Sequence, residues 1–600
     1  MDGGVDRITE RRPYNAVSDF VDAHIAAGRA SKIAFVDPGR SLTYGDLQAR
    51  TIRFANALRD LGIEEEQRVA LLLNDTVDYP VAFWGTLRAG CVAVPLNIYL
   101  TLPQYAYILA DCRARALVVE ASLAEAIAPV LDKLPRRPVV IVVGCTDVAT
   151  SWPRSLRPST SSGDTVAKDV DGRVKPGHDG GEVLSGHSGA ARQGRTRNPD
   201  ADTALASGFR VRSHSLAPRN DERDFETQIA KADSRLLTAD TLSDEVAFWL
   251  YTSGSTGDPK GVKHVHSNLM ATAKLFGQGI LGITENDVVH SASKLFFAYG
   301  LGNAMTFPLS VGATAALWPQ RPSPEAVFDT LKRNGVTIFY GVPSLYTALL
   351  AHKDIGKGAG SGCLRLCVSA GEALPAHIGE RWREVTGCDV LDGLGSTEML
   401  NTFLSNRPGD IRYGSTGRPV PGYEARIVDE HGRELGVDEI GELIVRGPSA
   451  GEGYWNQREK SRRTFAGEWT HTGDKYRRDA EGYFYYCGRT DDMFKVSGMW
   501  VSPFDVEAAL VSHEAVLEAA VIGKEDADGL IKPKAFIVLR NGFRADDVLL
   551  ERLKLHVKDK AGAWKFPRWI ELREALPRTA TGKIQRFKLR EEESQHGRVG

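Results

Sequence analysis

The 600-residue chain lacks an excess of either charge, because 75 Lys and Arg residues stand against 77 Asp and Glu residues, a formal net charge of -2. Proteins that bind nucleic acid or an anionic membrane through a broad surface carry a marked positive excess, so this balance predicts neither partner. Long apolar runs are also lacking, since even the run Val139 to Val143 is far shorter than a bilayer span. The composition therefore predicts a partner that is recognised at a local site.

Cysteine is scarce, and the pattern of its seven residues excludes the common cysteine-based sites. Their number is odd and no Cys-x-x-Cys pair occurs, so the sequence predicts neither a disulfide framework nor a zinc ribbon. The N-terminal segment MDGGVDRITERRPYN mixes acidic and basic residues and contains no apolar stretch of the kind that a signal peptide needs. These features predict reduced thiols and a cytoplasmic location.

From Leu42 onward, helical and strand patterns alternate. Thr43-Tyr-Gly-Asp46 predicts a capped helix that ends at Gly62, and the apolar run Val69 to Leu73 predicts a buried strand. The helical stretch around Val81 to Leu87 and the strand-like Val92 to Pro95 repeat this order. Repeated βαβ order predicts an α/β fold with mostly parallel sheets.

The composition changes between residues 147 and 224. This stretch is rich in Arg, Ser, Gly and Pro, and its only aromatic residues are Trp152 and Phe209, so it cannot bury enough apolar surface to fold alone. We interpret it as a disordered surface insertion. A basic nucleic-acid-binding arm is the alternative, but neither an aromatic nor a Gly-rich repeat pattern accompanies its arginines.

The segment from Tyr251 to Gly261 has the composition of a phosphate-binding loop. Small residues allow backbone N-H groups to turn inward, hydroxyls add donors and a lysine adds positive charge. The residues that supply these features are Thr252, Ser253, Gly254, Ser255, Thr256, Gly257 and Lys260. A Walker A loop is excluded because Asp258 and Pro259 follow Gly257 where that motif has Lys and Ser or Thr.

Five further motifs follow in order: Ser369-Ala-Gly-Glu-Ala-Leu-Pro375, Gly395-Ser-Thr-Glu398, Trp469-Thr-His-Thr-Gly-Asp474, Gly488-Arg-Thr-Asp-Asp492 and Arg578-Thr-Ala-Thr-Gly-Lys583. With these motifs the chain resembles the adenylate-forming superfamily of acyl-CoA synthetases, peptide-synthetase adenylation domains and luciferases, over almost its whole length except the insertion. The resemblance implies a large N-terminal adenylate-forming α/β domain with mostly parallel sheets and a small mobile α+β C-terminal domain.

The same resemblance implies a role for individual residues in binding ATP and Mg²⁺. Thr397 would approach the α-phosphate, and Glu398 would hold the Mg²⁺ that screens the triphosphate. Asp474 would accept both ribose hydroxyls, and Arg489 would support the same sugar. The residues implied for the adenine slot are Gly371, Glu372, Ala373, Asp392 and Gly393.

Two successive half-reactions are implied. Lys583 would stabilise the charge that develops when the carboxylate attacks the α-phosphate. The C-terminal domain would then rotate about a hinge at Asp491, and Gly498 would line the pantetheine path of coenzyme A. The corresponding boundaries are 1–488 for the N-terminal adenylation domain, 489–491 for the hinge and 492–600 for the C-terminal domain.

The acid to be activated is predicted to be aromatic. Phe296, Phe297 and Tyr299 offer flat apolar walls, and Ala298, Gly300 and Gly302 are expected to leave room beside them. The segments FFAYGLGNA and DGLGSTEML are similar to those of the benzoate-CoA ligase family. This resemblance implies benzoate or a ring-substituted benzoate, in a pocket that also includes Gly395.

One departure from that family concerns the pocket wall. Asn401 and Thr402 replace the His-Ile pair that is usual there. If these smaller polar groups stay unpaired, a hydroxybenzoate or aminobenzoate would satisfy them better than benzoate.

Two alternatives to a CoA ligase stay open on the sequence. One is an aryl-acid adenylating enzyme that loads a separate carrier protein, and the other is an ATP-binding protein that the insertion has disabled.

His264 and His266 are interpreted as packing or capping residues rather than acid-base groups. A homodimer is compatible with the sequence, while a nucleic acid or a membrane is not expected as a partner.

Overall fold

The computed structural model describes most of the chain outside the segment 145–221. The described ranges are 13–144, 222–252, 258–353, 355–357, 361–490, 492–496, 499–526, 529–544, 546–562, 564–578 and 584–596.

The first described range alternates strands and helices, as the sequence predicts. Its elements after the π-helical turn Ser18–Asp22 are α1 (Ala23–Ala26), β1 (Ile33–Val36), β2 (Ser41–Thr43), α2 (Tyr44–Asp60), β3 (Arg68–Leu72), α3 (Asp78–Arg88), β4 (Val92–Pro95), α4 (Leu102–Cys112), β5 (Ala116–Glu120), α5 (Ala121–Leu131) and β6 (Val139–Val143). The predicted start of α2 is confirmed, because the Asp46 amide donates to Thr43 Oγ1 at 3.1 Å and the Thr43 amide donates to Asp46 Oδ2 at 3.2 Å.

The middle of the chain continues the alternation with two short π-helical stretches, Ala273–Gln278 and Gly302–Thr306. Its elements are β7 (Glu222–Asp224), α6 (Phe225–Lys231), β8 (Val246–Thr252), β9 (Lys260–Val265), α7 (His266–Thr272), β10 (Val288–Ser291), α8 (Ala298–Leu301), α9 (Phe307–Val311), β11 (Thr314–Ala316), α10 (Pro324–Asn334), β12 (Ile338–Gly341), α11 (Pro343–Leu350), β13 (Leu366–Ser369), α12 (Ala376–Thr386), β14 (Val390–Gly395), β15 (Thr402–Ser405) and β16 (Arg418–Pro419).

The last part of the chain is richer in antiparallel strands. Its elements are β17 (Glu424–Val428), β18 (Gly441–Arg446), α13 (Arg458–Thr464), β19 (Phe465–Ala466), β20 (Trp469–Arg478), β21 (Phe484–Arg489), β22 (Phe494–Val496), β23 (Met499–Val501), α14 (Pro503–Val511), β24 (Val516–Glu525), β25 (Ile531–Leu539), α15 (Asp547–Ala561), β26 (Trp569–Leu572) and α16 (Arg586–His596).

Two large sheets contain all the strands from β1 to β16. Within the described residues, one sheet has the order β7-β6-β5-β3-β4-β8-β9 and is parallel except for the pair β8 and β9. The other has the order β16-β15-β14-β13-β12-β10-β11-β1-β2 and is parallel from β14 to β1. Strands β17 to β21 form an antiparallel sheet, and β24, β25 and β26 form the sheet of the small C-terminal region. The predicted α/β class with mostly parallel sheets is confirmed.

One apolar core is shared by the two large sheets. Tyr340 in β12 and Val368 in β13 point into it together with Val69 in β3 and Phe248 in β8. Alternate residues of the same strands, such as Phe339, enter a second core against α10, α11 and α12. Strands that are buried on both faces consist of continuous runs of apolar residues. Such runs can be recognised in the sequence, as the run Val69 to Leu73 was.

The end of the predicted insertion differs from the expectation of 147–224. Glu222–Asp224 forms β7, which pairs in parallel with β6, and the Asp224 carboxylate caps α6 by accepting from the Thr227 amide at 2.6 Å. Backbone hydrogen bonds at a sheet edge do not require apolar side chains, so this all-charged strand had the composition of a loop. The predicted disorder of the segment that precedes it concerns residues outside the described ranges.

A buried ion pair fixes α3 to the N-terminal segment. The Arg88 side chain is 0% exposed, and its guanidinium donates to the two carboxylate oxygens of Asp22 at 2.6 and 3.1 Å and to Thr238 Oγ1 at 2.8 Å. A guanidinium in this position is tolerated only while a carboxylate compensates its charge.

The substitution Asp22→Ala is therefore expected to destabilise the fold by about 3 kcal/mol, because it leaves the Arg88 charge buried without its partner. Thermal unfolding followed by circular dichroism measures this as a midpoint several degrees lower. Asp233→Ala is the matched control, since Asp233 pairs with Arg235 at the surface. Equal midpoints for the two variants would contradict the importance of the buried pair.

Candidate active site

The antiparallel strands β8 and β9 hold the two ends of the predicted phosphate loop. Thr252 lies opposite Lys260, and Tyr251 lies opposite Gly261. A Cβ at Gly261 would lie 3.1 Å from the Tyr251 ring, a tight contact that favours glycine where the two strands approach each other. The Tyr251 hydroxyl donates to Asp111 Oδ2 at 2.6 Å, which ties this end of β8 to α4.

Some of the predicted site residues fall outside the described ranges. These are Ser253, Gly254, Ser255, Thr256 and Gly257 of the loop itself, the hinge residue Asp491, Gly498 and Lys583. Their assignments stay predictions.

Lys260 and Glu398 are brought together on either side of Tyr454. Lys260 Nζ lies 4.4 Å from the centre of the Tyr454 ring and donates to the Tyr454 hydroxyl at 3.3 Å. That hydroxyl donates to Glu398 Oε1 at 2.7 Å. Burial lowers the pKa of Lys260, and the nearby Glu398 charge opposes this shift.

Thr397 and Glu398 lie on the loop that follows β14, and the loop is held from β9 as well. The buried His264 ring donates through Nε2 to the Thr397 carbonyl at 2.8 Å, and the Gly451 amide donates to the Glu398 carbonyl at 2.8 Å. Both contacts are made to carbonyl oxygens, so they fix the backbone of the loop without engaging the side chains of Thr397 and Glu398.

Asp474 and Arg489 face each other on neighbouring antiparallel strands, β20 and β21. Arg489 Nη1 donates to Asp474 Oδ1 at 3.0 Å and to the Thr472 carbonyl at 2.9 Å. A carboxylate oriented in this way can accept two hydroxyl hydrogen bonds, as a ribose would supply. The structure therefore places the predicted ribose residues side by side.

The predicted adenine slot lies at the carboxyl ends of β13 and β14. Ser369 and Asp392 are register partners in these parallel strands, and Gly371, Glu372 and Ala373 follow directly after β13. Asp392 Oδ2 accepts from the Leu374 amide at 3.4 Å, whereas the buried Oδ1 has no hydrogen-bond partner among the described residues. Burial raises the pKa of this carboxyl well above its usual range. Gly393 approaches β15 so closely that a Cβ would lie 3.1 Å from the Leu404 carbonyl oxygen.

The predicted acyl wall is a firmly anchored segment. Lys294 donates to the carbonyls of Trp318 and Gln320, and the Leu295 amide donates to Asp75 Oδ1 at 3.2 Å. Beyond this anchor, Phe297 packs edge-on against Phe296 with 4.6 Å between ring centres. The Tyr299 hydroxyl donates to the Val368 carbonyl at 3.1 Å, so only its ring can form part of a wall.

The expectation that glycines leave room beside the aromatic rings is wrong. A Cβ at Gly300 would overlap the Lys294 carbonyl, and one at Gly302 would overlap the Asn401 side-chain amide. At Gly395 a Cβ would lie 2.6 Å from the Asn401 carbonyl oxygen. These glycines therefore serve close packing within the protein rather than space for a ligand.

The premise that Asn401 and Thr402 are unpaired is also wrong. Asn401 Nδ2 donates to the Ala298 carbonyl at 3.0 Å, and Thr402 Oγ1 donates to Asn401 Oδ1 at 3.0 Å. The two side chains thus satisfy each other and hold the start of α8. A hydroxyl or amino substituent on the acid is not needed to pair them.

Tyr454 is the residue that the sequence analysis missed. Its hydroxyl spans 194 residues to Lys260 and 56 to Glu398, and no spacing rule connects positions so far apart. The only local signal is an aromatic pair, Tyr454 and Trp455, in an otherwise glycine-rich segment.

The described residues contain no group of three or more His, Cys, Asp or Glu side chains placed to hold a metal ion. They also contain no helix that is long and apolar enough to cross a membrane.

Comparison with known proteins agrees with this geometry. Residues 23–455 match the family described as AMP-binding enzyme, and residues 505–583 match the AMP-binding enzyme C-terminal domain. A 4-hydroxybenzoate-CoA/benzoate-CoA ligase of Rhodopseudomonas palustris is 45% identical over 97% of this chain and 94% of its own length. A benzoate-CoA ligase of Thauera aromatica is 45% identical over 97% of both chains. The crystal structure of a benzoate CoA ligase from Burkholderia xenovorans LB400 is 43% identical and superposes with a TM-score of 0.78, covering 96% of this chain and 100% of that one.

The buried histidines beside the site confirm the interpretation as packing residues. Burial lowers the pKa of both His264 and His266 to about 4. His266 Nδ1 accepts a hydrogen bond from the Ala16 amide at 3.3 Å. Both rings are neutral at pH 7, and the unfolded chain binds protons more readily than the folded one below pH 6.5.

Acidification should therefore destabilise the protein, with each of these histidines contributing about 2 kcal/mol of lost stability at pH 5 relative to pH 7.5. His264→Gln keeps a donor for the Thr397 carbonyl but cannot titrate, so we expect its loss of stability between these pH values to be smaller by about 2 kcal/mol. Urea unfolding at both pH values measures the difference. The exposed His431→Gln serves as control, and an unchanged pH dependence in His264→Gln would contradict the assignment.

Proposed function

Because this chain belongs to the AMP-binding family of adenylate-forming enzymes, and within it to the group of benzoate-CoA ligases, we propose that it joins an aromatic carboxylic acid to coenzyme A at the expense of ATP. The carboxylate oxygen attacks the α-phosphorus, and pyrophosphate leaves. The thiol sulfur of coenzyme A then attacks the acyl carbon, loses its proton and displaces AMP. The products are an aryl-CoA thioester, AMP and pyrophosphate.

The observation that carries this proposal is that three polar features from distant parts of the chain lie near one another. Besides burial, the charge of Arg489 helps to lower the pKa of Lys260, and the charges of Asp474 and Asp392 both help to raise the pKa of the buried Tyr476. We assign Asp392 to the adenine, the pair of Asp474 and Arg489 to the ribose, and Lys260 with Glu398 to the phosphates. The unpaired Asp392 Oδ1 supports adenine binding, since the exocyclic amino group of adenine is a donor of matching type.

Mg²⁺ fits the residues present. Glu398 Oε1 accepts from Tyr454, and no described group donates to Oε2, which leaves a hard oxygen ligand of the type that Mg²⁺ prefers. Mg²⁺ is commonly held by one or two carboxylates together with substrate phosphates, so a larger protein cluster is not required. When bound, the ion would neutralise the negative charge of the triphosphate.

The role of Lys583 in the first half-reaction is part of the proposal. A lysine ammonium that reaches both the carboxylate and the α-phosphate would stabilise charge that develops during the attack. Asp491 as hinge and Gly498 on the thiol path belong to the second half-reaction. The proposed boundaries are 1–488 for the N-terminal domain, 489–491 for the hinge and 492–600 for the C-terminal domain.

Benzoate is the acid that the pocket supports best. The wall presents the rings of Phe297 and Tyr299 beside Ala298, while the polar groups of Asn401 and Thr402 are paired within the protein. A plain aromatic ring therefore leaves neither Asn401 nor Thr402 without a partner. Ring-substituted benzoates are expected as secondary substrates.

We also propose a cytoplasmic location. All six cysteines in the described ranges are free thiols, and Cys367 and Cys388 stay unbonded with their sulfur atoms 3.8 Å apart. Reduced thiols at this distance support a reducing compartment.

The first test is AMP formation with ATP, Mg²⁺, CoA and a panel of benzoates and aliphatic acids. We expect CoA-dependent AMP release with benzoate, and a loss of at least 100-fold in Lys583→Ala, because the ammonium acts only where charge develops. Lys588→Ala, an exposed lysine nearby in the sequence, is the control. Acyl-adenylate formation without CoA-dependent turnover would instead favour a carrier protein as acceptor, and nucleotide binding without any adenylation would favour a disabled enzyme.

A second test concerns the ribose site. Asp474→Asn removes the negative charge from the group that is proposed to accept hydrogen bonds from the ribose hydroxyls. We expect ATP binding to weaken by between about 10- and 100-fold, which is the effect of losing a charge-assisted hydrogen bond. Isothermal titration calorimetry with the purified protein measures it. Asp438→Asn, which alters a surface ion pair with Arg477, should bind ATP normally. Unchanged binding by Asp474→Asn would remove this residue from the site.

A further inference from the structure

Tyr454 is held in one position by backbone pairing, independently of the side chains that its hydroxyl contacts. Residues 452–455 run along the free side of β9: the Glu452 amide donates to the Lys263 carbonyl at 2.9 Å, and the Trp455 amide donates to the Gly261 carbonyl at 2.8 Å. The Trp455 indole donates to the Asp111 carbonyl at 2.9 Å. Tyr454 is 5% exposed, and its ring packs edge-on against Phe465.

The hydroxyl of Tyr454 can only act as the donor toward Glu398. Burial, with the neighbouring Glu398 charge as a second cause, raises the pKa of this phenol far above its usual value, so it keeps its proton. A phenol has one proton to donate, and the contact to Glu398 at 2.7 Å is shorter than the 3.4 Å to Thr464 Oγ1. The oxygen of the same hydroxyl accepts from Lys260.

This geometry constrains the orientation of the carboxylate. With Oε1 engaged by the phenol, the rotation of the Glu398 carboxylate is restricted, and Oε2 is the oxygen that stays available to a metal ion. Groups that hydrogen-bond to a metal ligand typically change metal affinity or activity by 10- to 100-fold when removed. The benefit comes from holding the ligand in its binding orientation before the ion arrives.

We propose that Tyr454 is a positioning residue that orients Glu398 for Mg²⁺ and sets the Mg²⁺ dependence of ATP binding. The inference rests on the proposed function, because it takes ATP as the ligand and Glu398 as the metal-binding carboxylate. The proposed role is confined to the metal-nucleotide site, because the hydroxyl of Tyr454 contacts Lys260 and Glu398.

The substitution Tyr454→Phe separates the hydroxyl from the ring. The phenyl face that Lys260 covers is retained, so the contact of the ammonium with the ring survives while the hydrogen bond to Glu398 is lost. Calorimetric titration with ATP is made twice, in excess Mg²⁺ and in EDTA. We expect about tenfold weaker binding in Mg²⁺ and a change of less than about threefold in EDTA.

Two further variants make the result specific. Tyr423→Phe removes a comparably buried hydroxyl, which bonds to Ser449 at 2.7 Å, and is expected to leave both affinities unchanged. In a Glu398→Gln background, Tyr454→Phe should have no additional effect on the Mg²⁺ dependence, because the group that it orients is already altered. Thermal melting checks that each variant is folded.

Equal losses in Mg²⁺ and EDTA, or no loss in either, would overturn the inference, as would an additive effect in the double variant. If the wild-type chain binds ATP equally well with and without Mg²⁺, the assignment of Glu398 fails and the inference fails with it. If the wild type binds Mg²⁺-ATP tightly but forms no thioester with any acid, the proposed reaction fails while the result for Tyr454 stands.

Discussion

The antiparallel pairing of β9 with β8 is the constraint on which the rest of the site depends. Lys260 and His264 are four residues apart on this strand, so their side chains emerge on the same face. Lys260 contacts Tyr454, and His264 donates to the carbonyl of Thr397. One strand therefore positions both Tyr454 and the loop that carries Glu398. A shift of the pairing by one residue would direct both side chains to the opposite face and separate the site. The close contact between Gly261 and the Tyr251 ring resists such a shift.

Around this strand, the groups of the candidate site belong to two different kinds of element. The backbone of the loop at Thr397 and Glu398 is fixed by hydrogen bonds from His264 and Gly451, whereas the ribose pair lies in the regular ladder of β20 and β21. A ladder fixes position without any specific side chain, and a loop needs buried polar partners to do so. The loop therefore depends on a neutral, buried histidine, which couples its order to pH.

Much of the fold was predictable because its signals are local. The capping box at Thr43 and the apolar run of β3 each depend on residues within a few positions of one another. The motif residues Asp474 and Arg489 were also found from the sequence, through the resemblance. The strand β7 was missed because its three residues are all charged, and its place at the edge of the sheet is specified by the backbone of β6.

The contacts that were not predictable join residues far apart in the chain. Asn401 pairs with the carbonyl of Ala298 across 103 residues, and Tyr454 reaches Lys260 across 194. The sequence shows that Gly300 and Gly302 lack side chains, but it does not show which atoms occupy the positions that their Cβ atoms would take. Only the packing reveals that a backbone carbonyl and an amide fill it, so a plausible interpretation of these glycines as ligand space was wrong.

Under the proposed assignment of the acyl wall, this packing determines how the acid is recognised. Because Asn401 donates to Ala298 and Tyr299 donates to Val368, these polar groups of the wall are engaged within the protein, and the aromatic faces remain to contact a ring. A pocket of that kind discriminates by shape, at about 1–3 kcal/mol for each methylene group that is added or missing. Strong selection of a hydroxyl would need a buried partner that is left unpaired without it. Selectivity among ring substituents should therefore respond to the volume at Phe297 and Ala298, whereas substitution of the neighbouring glycines would disturb the loop that carries Asn401.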